Sequence, residues 1–298
     1  MPTQKKITFN FWRIEMPASE PRTFESLIKQ ASEIDDLENR IRDLSNYPVR
    51  MEKSEESNNV WIGEMLKLRM DELPVKAGRS TPIEDLGLEA DEGVAEPNGF
   101  LYDPKTKVLI THGEHYGVSA GKIAEYFGEI GLVRGEIKFE PVPTEEGWTK
   151  FASMKKLKAL TLKIGSSINP ALLPREGRGV RRFVEQMSNY NGLQMEITIS
   201  VGRSQRHTLD KDTIQLDIAD LLACHDATEG AVEKLEGTGV DDSGLTKPFD
   251  FLVGRMRHTA LVKLGSARRL TYDNRRTHLS DAFRKNIEEI DRLYPTKK

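Results

Sequence analysis

Arginines are the residues with the clearest chemical potential in this chain. The segment Arg175-Glu-Gly-Arg-Gly-Val-Arg-Arg182 places four of them in eight residues, with two glycines and one acid. It follows the turn-rich stretch Asn169-Pro170 to Pro174 and leads into Val180, Phe183, Val184 and Met187, which share a helical spacing. An arginine cluster at the start of a helix is phosphate chemistry. Guanidinium forks offer paired donors, glycines let a ligand approach the backbone, and the helix N-terminus adds its own positive end. A strand-like run, Leu193 to Val201, then delivers a second basic turn, Arg203-Ser-Gln-Arg206-His207. Downstream stand Arg255, Arg257, Lys263, Arg268, Arg269, Arg275 and Arg276, and from Arg255 to Arg276 the only acid is Asp273. Aromatics hardly interleave with these positions, so contacts to a nucleic-acid backbone fit better than base stacking. The competing expectation is that these arginines pair with acids of the first half, within the chain or across a dimer.

Enzymatic constellations are weaker. Asp103 with Glu136-Ile-Lys138 follows the order of a metal-dependent nuclease, an acid and then acid-x-lysine on a strand, which would activate water through a divalent ion. Charged residues also alternate outward on any half-buried strand, so this order is an alternative and not the leading expectation. Thr111-His112-Gly-Glu114-His115 holds metal-capable groups but lacks the His-Glu-x-x-His spacing on a helix and a third ligand. No GxxxxGK[ST] loop, GxGxxG fingerprint or GxSxG elbow occurs. No cofactor and no metal are expected. The single cysteine, Cys224, lies in an apolar helical pattern and is expected to be buried and structural. Without a disulfide framework, a secretory signal or a run of membrane-spanning length, a cytoplasmic protein is expected.

The elements that position these residues follow from periodicity. Residues 6–14 alternate as a strand with aromatics on both faces. Thr23 caps a helix with Phe24, Leu27, Ile28, Ala31 and Ile34 on one side. Hairpins are predicted at 47–53 with 60–70 and at 92–102 with 107–111, a Ser119-capped helix closed by Gly131, and a strand at 135–142. A short helix from Thr144 through Phe151 follows. Then come a strand at 157–164, the basic helix 176–189, a strand at 192–201, and a helix capped by Asp210 or Asp212 bearing Ile214, Ile218, Leu221 and Leu222. A strand and turn are predicted within 229–242 and a strand at 259–264. A final helix capped by Ser280 carries Phe283, Ile287, Ile290 and Leu293, a stripe expected to serve a homodimer. Residues 1–150 hold 19 basic and 28 acidic residues, and residues 151–298 hold 25 and 19. The expectation is an α+β fold of two domains, 1–150 acidic and 151–298 basic, DNA-binding and dimerising.

The order of elements resembles the RexA phage-exclusion proteins. The likeness is carried by the aromatic first strand, the strands ending near Met70, Gly99-Phe-Leu-Tyr-Asp-Pro104 with Val108-Leu-Ile110, and the helix ending Ile130-Gly131. Glu136-Ile-Lys-Phe-Glu-Pro141 and the strand Lys158–Lys163 complete it, so it covers about half of the chain. The resemblance implies a two-domain dimer that binds DNA without strong sequence preference, with a fold similar to the RdgC recombination-associated proteins. It also implies a role in defence against phage together with a small membrane protein, and it assigns no individual DNA-contacting residue. The leading expectation is a non-enzymatic, sequence-nonspecific DNA-binding protein using Arg175, Arg178, Arg181, Arg182, Arg203, Arg206, Lys263, Arg268, Arg269, Arg275 and Arg276. The alternatives are the nuclease of Asp103, Glu136 and Lys138, and a subunit docking on an acidic protein.

Overall fold

β1 (Gln4–Glu15) is the strand on which the larger of two sheets is built. The computed structural model describes residues 4–44, 47–113, 117–144, 148–168, 170, 173, 179–204, 206–227, 231–252, 254–264 and 269–295. The other strands are β2 (Arg42–Leu44), β3 (Tyr47–Ser57), β4 (Val60–Arg69), β5 (Val94–Asp103), β6 (Val108–Gly113), β7 (Lys138–Pro141), β8 (Lys156–Gly165), β9 (Gln194–Ser200), β10 (Val232–Val240), β11 (Thr246–Asp250) and β12 (Arg257–Lys263). The helices are α1 (Phe24–Ser32), α2 (Ala120–Ile130), α3 (Trp148–Ser153), α4 (Gly179–Asn189), α5 (Lys211–Ala227) and α6 (Tyr272–Leu293). The first sheet runs β12-β1-β6-β5-β4-β3-β2 with β7 also on β1, the second runs β11-β10-β8-β9, and all pairs are antiparallel. The fold is α+β, as the periodicity predicts.

β1 buries both faces, which explains its aromatics on both. Ile7, Phe9 and Phe11 face the core under α6, while Trp12 and Ile14 face the core shared with α1 and α2. Local chemistry sets the neighbouring elements. Thr23 accepts from the Ser26 amide and Ser119 from the Lys122 amide, so both predicted caps hold. Asn58 and Asn59 both take positive φ, 53° and 62°, as a tight turn between β3 and β4 demands. Gly63 stands opposite Phe100 in the register, and a Cβ there would fall inside the Phe100 ring. Gly237 and Phe249 repeat the device in the second sheet.

Two expectations change. The last helix does not start at Ser280. Thr271 caps it through a reciprocal capping box with Asn274, so α6 gains two turns, and Arg275 and Arg276 lie inside it. Nor does the chain divide into domains at residue 150. β12 pairs with residues 4–10 of β1, and α6 lies against β4, β5 and β6. Without β12, β1 would expose its backbone along that edge. Of the stripe expected to serve a dimer, Ile290 is buried against the cluster of Ile7, Phe9, Ile62, Leu101 and Ile110, and Phe283 and Leu293 are half-buried on it, so the stripe packs mainly on the first sheet. The second sheet, with α3, α4 and α5, is thus an insertion of roughly residues 148–252 between parts of the first.

α5 joins the two parts. Ile214, Ile218, Ala219, Leu221, Leu222, Ala223 and Cys224 are all buried, and α5 contacts α2, β6 and β7 on one side and α4 and β10 on the other. Cys224 is a buried thiol within it, as expected. Asp210 caps α5 by accepting from the Thr213 amide at 2.8 Å. Gly63→Ala should force Phe100 out of its rotamer and cost about 1–3 kcal/mol, read as a lowered thermal midpoint. Gly128→Ala, in open space on α2, is the control and should not destabilise.

Candidate nucleic-acid interface

The arginines predicted as one DNA-binding set fall into distinct structural roles. Arg175, Arg178 and Arg268 lie outside the described residues. Arg275 is buried, and its Nε donates to Glu64 Oε1 at 2.9 Å, its Nη2 to the same oxygen at 2.5 Å, and its Nη1 to the Leu270 carbonyl at 2.8 Å. Its guanidinium therefore ties α6 to β4 and does not face a ligand backbone, which corrects its assignment. Arg276 pairs with Glu55 at 3.0 Å, and Arg181 pairs with Glu185 at 2.7 Å and donates to the Leu173 carbonyl. Lys105 reaches Asp291 at 2.7 Å. For Arg275 and Arg276 the competing expectation, pairing with acids of the first half, is what the structure contains.

The charge balance changes with the fold. Residues 151–254, which hold the second sheet, carry 13 basic and 14 acidic residues, whereas residues 255–298 carry 12 and 5. The basic excess of the second half thus sits in β12 and α6, against the acidic first sheet.

Five of the predicted cations remain exposed and, among the described residues, make no ion pair: Arg182, Arg203, Arg206, Lys263 and Arg269. They stand at separate places. Arg203 and Arg206 project from the turn between β9 and α5. Gly202 takes φ 59° there, the Ser204 hydroxyl lies 2.6 Å from His207 Nδ1, and Lys158 Nζ donates to the Ser204 and His207 carbonyls. This turn is built by its own hydrogen bonds and presents two guanidinium groups. Arg182 stands on α4, which packs on α5.

Two basic residues, Lys6 and Lys263, lie along the β1–β12 pair. Lys6 stands opposite Leu261, and Lys263 is two residues further on the same face. That diagonal separation is about 7–8 Å. Arg269 lines a cleft of about 620 Å³ at the start of α6 with Lys5, Glu52, Glu64 and Glu96, and Lys5 alternates to the other face of β1 from Lys6. Lys6 was missed by sequence reasoning because only the β1–β12 pairing brings it to Lys263, more than 250 residues away.

The nuclease residues are not brought together. Asp103 is buried, and its carboxylate accepts from the Lys105 and Thr106 amides and the Thr106 hydroxyl, closing the β5–β6 hairpin. β5 and β7 are separated by β6 and β1, three ladder steps of about 4.8 Å each. Glu136 is exposed, and Lys138 stands opposite Glu15. His112 is buried with its ring 5.7 Å from Phe9, while Glu114 and His115 lie outside the described residues. Among the described residues no group of three His, Cys, Asp or Glu could hold a metal, and no helix is long and apolar enough to cross a membrane.

The most displaced carboxylate with a value in the neutral range is Glu140 on β7. Burial raises it to about 7, with Glu15 adding repulsion and Lys138 opposing it. Arg13, its partner across the ladder, stacks on the Tyr294 ring at 4.7 Å.

The fold and site define the class as an α+β protein of two antiparallel sheets with several exposed cations that make no ion pair and, among the described residues, no group of side chains that could hold a metal. The chain belongs to a family of unknown function, DUF6731, which matches residues 2–291. No functionally curated protein matches it.

Two outcomes follow from these side chains. Arg275→Ala strands the Glu64 charge and should cost about 3–5 kcal/mol in denaturant unfolding. Arg276→Ala, one residue on, should cost less than about 1 kcal/mol. For Glu140 the folded-state value is raised, so its contribution to stability is present below about pH 4.5 and is lost as pH rises towards 7. Glu140→Gln should therefore raise the thermal midpoint at pH 8 relative to the parent, and the gain should shrink towards pH 5.

Proposed function

We propose that this protein is a non-enzymatic binder of DNA that contacts the phosphate backbone with little sequence preference. The observation that carries this reading is the set of exposed cations that make no ion pair among the described residues: Arg203 and Arg206 on the turn before α5, Arg182 on α4, Lys6 and Lys263 on one face of the β1–β12 pair, and Arg269 beside Lys5. Such groups suit phosphates, and the scarcity of exposed aromatics beside them argues against base stacking. The formal net charge is −3, so long-range attraction is weak and affinity depends on these local cations. A place in phage exclusion, with a small membrane protein as partner, rests on the resemblance to RexA proteins alone.

The test is a gel shift on unrelated duplexes across a salt series. Affinity should fall steeply, with a log–log slope of about −0.9 per phosphate contact. Arg203→Ala with Arg206→Ala should lower that slope by up to about two units, and Lys6→Ala with Lys263→Ala should do the same if both pairs engage. Lys76→Ala, whose side chain pairs with Glu84 on a distant loop, is the control and should change nothing. Salt-independent binding, or equal loss in the control, would overturn the electrostatic reading.

A further inference from the structure

We infer that β9 is the pairing edge of a symmetric homodimer, with the strand of one copy antiparallel to the same strand of a second about a two-fold axis at Ile197. The first argument is the contrast among the end strands of the two sheet orders, β12 and β2 in the first and β11 and β9 in the second. β12 carries Arg257 and Lys263, β11 carries Lys247 and Pro248, and β2 is three residues long and begins with Arg42. Charges, prolines and shortness are how edge strands avoid pairing with other chains. β9, Gln194-Met-Glu-Ile-Thr-Ile-Ser200, is seven residues with no lysine, arginine or proline. Its surroundings are apolar and uncovered, with Tyr190 79%, Leu193 80% and Ile199 40% exposed.

The backbone points the right way. The Leu193 carbonyl accepts from Ser166, and the Val201 amide donates to Lys158, so odd-numbered residues of β9 bond to β8. Residues 194, 196, 198 and 200 therefore direct their N–H and C=O groups to the open edge. A two-fold axis at Ile197 opposes Glu196 to Thr198 and Gln194 to Ser200 of the second copy, which are the positions whose backbone groups are unpaired. It also opposes Met195 to Ile199 and Ile197 to itself. These three stand across from Ile164, Leu160 and Leu162 on the helix-covered face, so the core of the second sheet continues across the axis.

Charge selects this register over its neighbours. An axis at Glu196 sets two carboxylates directly opposite, which is destabilising. An axis at Thr198 leaves Gln194 opposite Gly202, beyond the strand. Only the axis at Ile197 overlaps all seven residues without a like-charge pair, and this self-complementarity favours a second copy over a foreign strand.

Cysteine cross-linking tests the register. Ile197→Cys places identical residues in a non-hydrogen-bonded pair with Cα atoms about 4.5 Å apart, within disulfide reach. Ile199→Cys places them about 13 Å apart, beyond it. Mild oxidation should give a covalent dimer from the first variant and not from the second, and the buried Cys224 does not compete. Thr198→Pro removes an N–H that points away from β8, so it should give a monomer by light scattering at tens of micromolar with an unchanged circular dichroism spectrum, where the parent is a dimer. A monomeric parent, equal cross-linking at both positions, or a folded Thr198→Pro that stays dimeric would overturn the proposal.

Discussion

The burial of α5 between the two sheets is the constraint on which the rest of the structure depends. Its apolar residues are spread too widely around the helix for one partner to cover, while its polar first turn, Asp212 and Thr213, stays exposed. The first sheet, through β6, β7 and α2, covers one side, and the second sheet, through β10 and α4, covers the other. Ile214, Ile218, Leu221 and Leu222 each bring about 1.5–3 kcal/mol of burial that neither part would realise alone. The two sheets therefore share one core, running from Trp12 and Phe24 to Phe249 and Phe251.

The return of the chain to its first sheet has a second consequence, for electrostatics. The basic residues after Arg255 look like a binding surface when they are counted along the chain. In the fold two of them pair with acids of β3 and β4: Arg275 with Glu64 and Arg276 with Glu55 hold α6 across the sheet. The cations that make no ion pair among the described residues are what remains after this internal pairing, which is why they stand apart, on a hydrogen-bonded turn, on α4 and along the β1–β12 pair.

Sheet edges complete the account of what the molecule offers to partners. β12 and β11 carry basic residues or proline and β2 is short, whereas β9 carries only the single charge of Glu196. The proposed pairing edge lies in the same part of the molecule as the Arg203–Arg206 turn, which follows β9 directly, so a symmetric pair of chains would carry two copies of that turn.

The sequence by itself determined the local elements. Strands at 6–14, 47–53 and 157–164, the Thr23 and Ser119 caps, and a start of α5 at Asp210 or Asp212 were legible because each is decided by residues within one strand length or one helical turn, and the structure extends the strands to 4–15, 47–57 and 156–165 and takes Asp210 as the cap. The α+β class followed from them. The start of α6 was misplaced because Thr271 and Asn274 are a weaker local signal than Ser280 before an apolar stripe. Four things only the tertiary structure decided: the insertion of the second sheet, the pairing of Arg275 with Glu64, the meeting of Lys6 with Lys263, and the cover over the α6 stripe. Each depends on which distant segment lies opposite, and side-chain type fixes only that a partner is needed. An arginine reads the same in sequence whether its carboxylate is a neighbour, lies across a sheet from residue 275 to residue 64, or is absent.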